Sequence, residues 1–309
     1  MKRAESYIQA LVKEQSLPSA YVEMAGDYLW PLVQDIVQVR PKSDEPLLVG
    51  IQGTQGSGKS TVSLFLKALL EQCFDLNVQV LSLDDFYLTR DARIGLSHSI
   101  HPLLQTRGVP GTHDMHLLQT TVEQLKQLPA DQSMRVPCFN KGIDDREPDD
   151  GWPVVTGGID VILFEGWCVG IPSQPNYQLN DPINQLEKEE DPLGIWRFYV
   201  NDQLKLHYEP FYAQLHHLIV LKAPSFKQVF KWRLLQEEKL KQKLLDHGQD
   251  IRSLRLLSPD DIARFIAHYE RLTRYGFQVL PELASWEIEL DDLHNMTRLT
   301  RNNQLVEVS

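Results

Sequence analysis

One stretch, Gly53-Thr54-Gln55-Gly56-Ser57-Gly58-Lys59-Ser60-Thr61, constrains what this chain can fold into more than any other. It matches G-x4-G-K-[ST], and each position has a physical task. Glycines let the backbone curl tightly and turn its N–H groups inward, onto phosphate oxygens that a Cβ would obstruct. Lys59 is expected to reach the β- and γ-phosphates of a nucleoside triphosphate, and Ser60 to place its hydroxyl on Mg²⁺. The following helix adds the positive end of its dipole. Such a loop needs a strand that ends at its start and a helix that leaves its end. LLVGIQG (47–53) supplies the strand, and an apolar helical pattern from about Thr61 to Cys73 supplies the helix.

VQVLSL (78–83) completes a β-α-β unit, which implies a parallel sheet. Short apolar runs recur at IDVILF (159–164), HLIVLK (217–222) and SWEIEL (285–290), giving at least five core strands. Helical patterns cover 114–128, 195–215, 225–245 and 259–275, the last opened by Ser258-Pro259-Asp260. The expected class is α/β, a parallel sheet of about five core strands flanked by helices. Ahead of it, residues 5–39 carry two helical patterns, the second with Tyr21, Met24, Ala25, Leu29, Leu32, Val33 and Ile36 near a 3.6 period, before PKSDEP (41–46) breaks the helix. We read 1–44 as a helical extension that caps the sheet, within a single domain spanning 1–309. Two segments, roughly 88–113 and 140–158, lack a strong pattern and are expected to be functional loops or lids.

Composition removes several classes. With 42% apolar and 24% charged residues the chain is neither disordered, collagenous nor coiled coil. A net charge of −11 argues against nucleic acid as a partner. No window approaches the roughly 18 consecutive apolar residues of a membrane span. Glu5, Gln9, Lys13 and Glu14 interrupt the apolar stretch that an export signal would need. The expectation is a cytoplasmic protein with no membrane partner, acting on a small molecule as a monomer or homodimer. Cys73, Cys138 and Cys168 are odd in number and widely spaced, and read as reduced thiols.

In a doubly wound parallel sheet the chemistry gathers at the carboxyl ends of the strands. Asp84 and Asp85 follow VQVLSL, and Glu165 follows VILF in FEGW. Asp160 begins its strand and belongs to the opposite edge. Phosphoryl transfer to a hydroxyl needs one carboxylate near the acceptor and another near the metal. Asp84 fits the first role, and Glu165 the second, binding Mg²⁺ directly or through water.

Taken in order, GIQGTQGSGKST, LSLDDFYLT, LLQTRGVPGTHD and VILFEGW resemble the D-glycerate 3-kinase family, which is similar to the uridine kinase, pantothenate kinase and phosphoribulokinase group of P-loop kinases. The resemblance spans about 46–295, and RGVPGTHD is its most specific element. It implies a P-loop NTPase kinase fold with strand order 2-3-1-4-5, ATP as phosphoryl donor, and a helical lid within 224–275. The group's Asp-x-Phe-Tyr element aligns with Asp84-Asp85-Phe86-Tyr87, which makes Asp84 the base and places Asp85 and Tyr87 on the acceptor side. Its Glu-Gly motif aligns with Glu165-Gly166. Around the lid, Arg233 is the cation expected to neutralise the transferring phosphoryl group.

A D-glycerate-like acceptor carries a carboxylate, for which Arg107, His113, Lys141 and Arg146 are the available cations, Arg107 and His113 first. The chain departs from the family where glycerate kinases carry Tyr-Asp-Lys-Ser and this sequence has Phe139-Asn140-Lys141-Gly142. That departure bears on the identity of the acceptor more than on phosphoryl transfer. The expected activity is an ATP- and Mg²⁺-dependent kinase of a small hydroxy metabolite. The alternative is a kinase-like protein in which ATP orders a lid that recruits a partner, with no metabolite phosphorylated.

Overall fold

The computed structural model describes residues 2–41, 45–246 and 258–306. Strands form at Leu47–Gly53 (β1), Val78–Ser82 (β2), Ser133–Arg135 (β3), Phe139–Asn140 (β4), Asp145–Arg146 (β5), Val154–Thr156 (β6), Val161–Gly166 (β7), His217–Lys222 (β8), Trp286–Leu290 (β9), Met296–Arg301 (β10) and Gln304–Leu305 (β11). Helices form at Lys2–Glu14 (α1), Tyr21–Met24 (α2), Trp30–Val39 (α3), Lys59–Phe74 (α4), Arg90–Ser99 (α5), Met115–Gln127 (α6), Gln185–Glu190 (α7), Ile195–Gln203 (α8), Glu209–Tyr212 (α9), Phe226–Asp246 (α10) and Pro259–Leu283 (α11). A π turn, Ala25–Leu29, joins α2 to α3, and a second, Leu204–Tyr208, joins α8 to α9.

Among the described residues the central sheet has seven strands in the order β11-β10-β9-β8-β1-β7-β2. β2, β7, β1, β8 and β9 run parallel, so the five core strands lie in the order 2-3-1-4-5. β10 and β11 extend this sheet antiparallel beyond β9, an addition the sequence reading did not include. Successive side chains of a strand face opposite ways, and the core divides accordingly. Leu47, Val49 and Ile51 of β1 join Val161, Leu163, Ile219 and Leu221 under α4. Leu48 of β1 joins Ile162, Phe164, Leu218 and Val220 on the other face, with α6, α8 and α11.

The N-terminal helices share the α4 side. Ala4, Ile8 and Val12 of α1 recur every fourth residue and are buried, as are Ala25, Leu29, Leu32, Val33 and Ile36 of the following helical run. Asp35 of α3 accepts from the Trp286 indole at 3.0 Å and pairs with Arg301 at 3.0 Å, tying this layer to β9 and β10.

Two expectations need correction. Residues 88–113 are not patternless loop, because they contain α5 and a 3₁₀ turn at Pro102–Gln105. The buried side chain of α5 is Arg93, whose guanidinium is held by the carbonyls of Leu88, Gln105 and Asp144, so the helix has no apolar stripe to reveal it. Residues 140–158 include β5, β6 and a short 3₁₀ turn, with β4–β5 forming a small hairpin and β6 pairing antiparallel with β3 around it. The region 224–275 holds α10 and much of α11, and its residues 247–257 lie outside the described residues. α11 starts with a capping box between Ser258 and Asp261, with Pro259 at its first position. Among the described residues no helix is long and apolar enough to cross a membrane.

Candidate active site

β1 ends at Gly53 and α4 begins at Lys59, so the intervening loop turns at the carboxyl edge of the sheet. Gly56 (φ +77°) and Gly58 (φ +85°) both take the left-handed conformation that the tight curl requires. A Cβ on Gly56 would stand 2.9 Å from the Trp232 Cβ, so this position is closed to larger residues by packing as well. Gly58 caps α4 and offers no side chain to its free N–H groups. Thr54 Oγ1, Gln55 Oε1 and Ser57 Oγ are buried without a hydrogen-bond partner. Polar atoms are seldom left so in a folded protein, and here they surround a cradle whose geometry suits phosphate oxygens.

Glu165 lies in register with Ser82 at the end of β2 and with Ile51 of β1, so the sheet brings it beside the loop. It is 5% exposed. Ser60 Oγ donates to its Oε1 at 3.3 Å, while Lys59 Nζ stands 3.9 Å from Oε2. Oε2 is buried and has no hydrogen-bond partner. A hydroxyl and a carboxylate with an unused oxygen form a donor set of the hard-oxygen kind that Mg²⁺ takes.

Two residues past Ser82, a 3₁₀ turn (Leu83–Phe86) presents Asp84 at the same edge. Its carboxylate accepts from the Tyr87 hydroxyl at 2.9 Å and from Lys141 Nζ at 2.6 Å. Burial by itself would raise the Asp84 pKa. The charges of Lys141 and Lys59, with those two hydrogen bonds, outweigh it and hold the carboxyl down at about 2. Asp84 is therefore ionised across the physiological range.

A cavity of about 400 Å³ opens between the loop and the carboxyl edge. Gln55, Gly56 and Lys59 form one wall, Asp84, Tyr87, Arg107 and Lys141 another, and Trp167 with Arg233, Gln236, Glu237, Phe265 and Tyr269 close it from α10 and α11. Arg233 pairs with Glu237 at 2.8 Å and lies 5.8 Å from the Phe265 ring centre. Arg107 is paired with Asp144 and lies 5.5 Å from the Phe139 ring centre. Four cationic side chains thus face one cavity in a chain of net charge −11, a concentration suited to an anionic ligand.

Three candidate substrate residues lie elsewhere. His113 is 5% exposed and stacked on Tyr87 with ring centres 4.5 Å apart, and its Nδ1 meets the Tyr208 hydroxyl at 2.7 Å. Burial pushes its pKa down to about 3, so this imidazole is neutral and supplies no charge for a carboxylate. Arg146 is also turned inward, donating to the Tyr87 carbonyl at 3.0 Å and to Asp114 at 3.1 Å, and it pins the β4–β5 hairpin in place. Asp85 accepts from the Phe139 N–H at 3.2 Å and fixes that same hairpin from the other side. Burial raises its pKa to about 6, with a further push from the Asp84 charge and partial relief from the Phe139 hydrogen bond.

The RGVPGTHD segment is scaffold apart from Arg107. Gly108 (φ +138°) accepts the Trp167 indole N–H at 2.9 Å, Thr112 Oγ1 accepts the Gly108 N–H at 3.0 Å, and the Gly111 N–H (φ +94°) donates to Tyr208 at 3.0 Å. Asp114 caps α6 by accepting the Leu117 N–H at 3.0 Å. Sequence reasoning expects a lid over 224–275, around or after Lys231–Glu237, without singling out Trp232, Gln236, Glu237, Phe265 or Tyr269 within it, and it misses Trp167 as a cavity wall and His294 behind the loop. The Trp232 and His294 rings stack with centres 4.2 Å apart, and His294 Nε2 donates to the Gly56 carbonyl at 2.8 Å. Aromatic residues on long helices look the same in sequence whether they face a core or a cleft.

No family model matches the chain. Similar curated proteins are D-glycerate 3-kinase, chloroplastic, of Arabidopsis thaliana, 32% identical over 64% of this chain and 42% of its own, and probable ATP-dependent kinase TDA10 of Saccharomyces cerevisiae, 31% identical over 63% of this chain and 68% of its own. Among solved structures, D-glycerate 3-kinase from Cryptococcus neoformans superposes with a TM-score of 0.72 at 25% identity, covering 92% of this chain and 100% of that one.

Proposed function

Because the chain belongs to the family of P-loop kinases that includes D-glycerate 3-kinase, we propose that it transfers the γ-phosphoryl group of ATP to a hydroxyl of a small, negatively charged hydroxy acid, D-glycerate first among them. The observation that carries this reading is the single cavity in which Lys59 of the phosphate loop faces Asp84, with Arg107, Lys141 and Arg233 around them.

The loop N–H groups, Thr54, Gln55, Ser57 and Lys59 hold the triphosphate, and the N-terminus of α4 adds to the field. Ser60 and Glu165 would hold Mg²⁺, which supplies charge neutralisation to the phosphates when bound. The acceptor hydroxyl binds at Asp84. Its oxygen forms the new bond to the γ-phosphorus, the bond to the β,γ-bridging oxygen breaks, and the proton passes to Asp84. A carboxylate held near pKa 2 is a weak base, which suits a loose transition state where orienting the hydroxyl matters more than early proton removal. Arg233 on α10 closes the site over the developing charge. Arg107 and Lys141 take the carboxylate of the acceptor, Arg107 through its planar fork.

The test is ADP release measured with ATP and Mg²⁺ against a panel of small hydroxy acids, nucleosides and pantothenate. Stimulation by a hydroxy acid is expected. Release unchanged by every compound would favour the nucleotide-dependent binding protein instead.

A further inference from the structure

The triphosphate reading leaves one end of the ligand unplaced. If the terminal phosphoryl group sits beside Lys59 and Asp84, the nucleoside must leave the loop on another side. A second cavity, of about 290 Å³, reaches the same loop through Ser57, Gly58 and Thr61, whereas the first touches Gln55, Gly56 and Lys59. One of its walls is the turn after β9, with Leu293, His294 and Met296, and the other is the N-terminal segment, with Leu17, Pro18 and Tyr21. Both walls are largely apolar, as the faces of a nucleobase require.

Resting on that reading of the loop, we infer that the N-terminal segment Leu17–Met24 is part of the nucleotide site and forms one wall of the slot for the base. Two contacts hold this wall in place. The Tyr21 ring packs on Phe65 of α4 with centres 5.1 Å apart, and the Met296 N–H donates to Met24 Sδ at 2.8 Å, so the N-terminal segment and the turn after β9 are joined at the edge of the slot. A base seated there touches the first and last parts of the chain at once. Its binding energy comes from apolar contact with a segment that a bare phosphate chain does not reach.

The experiment compares Mg²⁺-ATP with Mg²⁺-tripolyphosphate, which has the phosphates and no base. Ala20 lines the slot and is exposed, so Ala20→Trp fills the space without disturbing a buried residue. Its Kd for ATP is expected to rise about tenfold or more, with the Kd for tripolyphosphate unchanged. Photolabelling of the unmodified protein with 8-azido-ATP is expected to place label within residues 17–24. Wild-type ATP affinity in a folded Ala20→Trp variant, or label confined to other segments, overturns the inference while leaving the phosphate cradle standing. Should Ala20→Trp lose tripolyphosphate binding as well, the variant is misfolded and the photolabel decides. If the wild-type protein binds neither compound, the cradle reading fails and this inference falls with it.

Discussion

Asp84 and Asp85 are adjacent carboxylates that the fold pushes in opposite directions. Asp84 points at Lys141 and Lys59 and stays ionised, while Asp85 is half-buried behind the β4–β5 hairpin and accepts one backbone N–H there. Both follow the same strand, so sequence reading gives Asp84 the acceptor role from its place at the strand end, in agreement with the family motif, and the opposite environments of the two carboxylates become visible only in the fold. The same limit explains the cations. Lys59, Ser60 and Glu165 were legible because a strand end or a glycine loop fixes where such residues must stand. Among the loop cations sequence reading puts Arg107 and His113 first, whereas the fold faces Arg107 and Lys141 to the cavity and turns His113 and Arg146 into the protein, a distinction that loop charges do not carry in sequence. Asp85 has a measurable consequence. Its folded value of about 6 lies above the ordinary 3.8, so the folded chain keeps a proton that the unfolded chain has released between those values. The stability this carboxyl contributes is full below its unfolded pKa and is lost as pH rises through the folded one. Asp85→Asn, which keeps the acceptor for Phe139, is expected to have a higher Tm than wild type above about pH 6, and the gap should close toward pH 4. Calorimetry that finds the same difference at every pH would contradict this account of Asp85.

The elements most readily recovered from sequence are those whose apolar pattern the core uses directly: the five parallel strands, α4, α6 and α10. The missed helix α5 buries an arginine, and the missed β10–β11 hairpin turns at Asn302-Asn303, both at positive φ, a turn signal that lies beyond the last apolar run. That C-terminal region matters to the site because it backs the phosphate loop. Trp232 of α10 is 3% exposed, donates its indole N–H to the Asp292 carbonyl at 3.0 Å and stacks on His294, which in turn holds the Gly56 carbonyl. Trp232→Ala is expected to lose about 3–5 kcal/mol of stability in urea unfolding, as large-to-small changes of buried tryptophan do. A loss under about 1 kcal/mol would mean that α10 does not brace the loop.

At the scale of the whole molecule, the sheet carries the chemistry to one edge. Parallel strands deliver Gly53, Ser82 and Glu165 to the same side, and the connections after them supply Lys59, Asp84 and Trp167. Asp160 stands just before β7 at the opposite edge, where it pairs with Arg40 and accepts the Asn77 N–H at 2.8 Å, a purely structural task. The proposed mechanism has a phosphoryl group held at Lys59 delivered to a hydroxyl oriented by Asp84. Phosphorus NMR of ATP, Mg²⁺ and D-glycerate, with wild type and Asp84→Asn side by side, follows that transfer itself. A phosphomonoester resonance that grows with ADP is expected in the wild type, with the variant slower by at least ~100-fold. Inorganic phosphate without ester, or ester formed equally fast by Asp84→Asn, would contradict that mechanism.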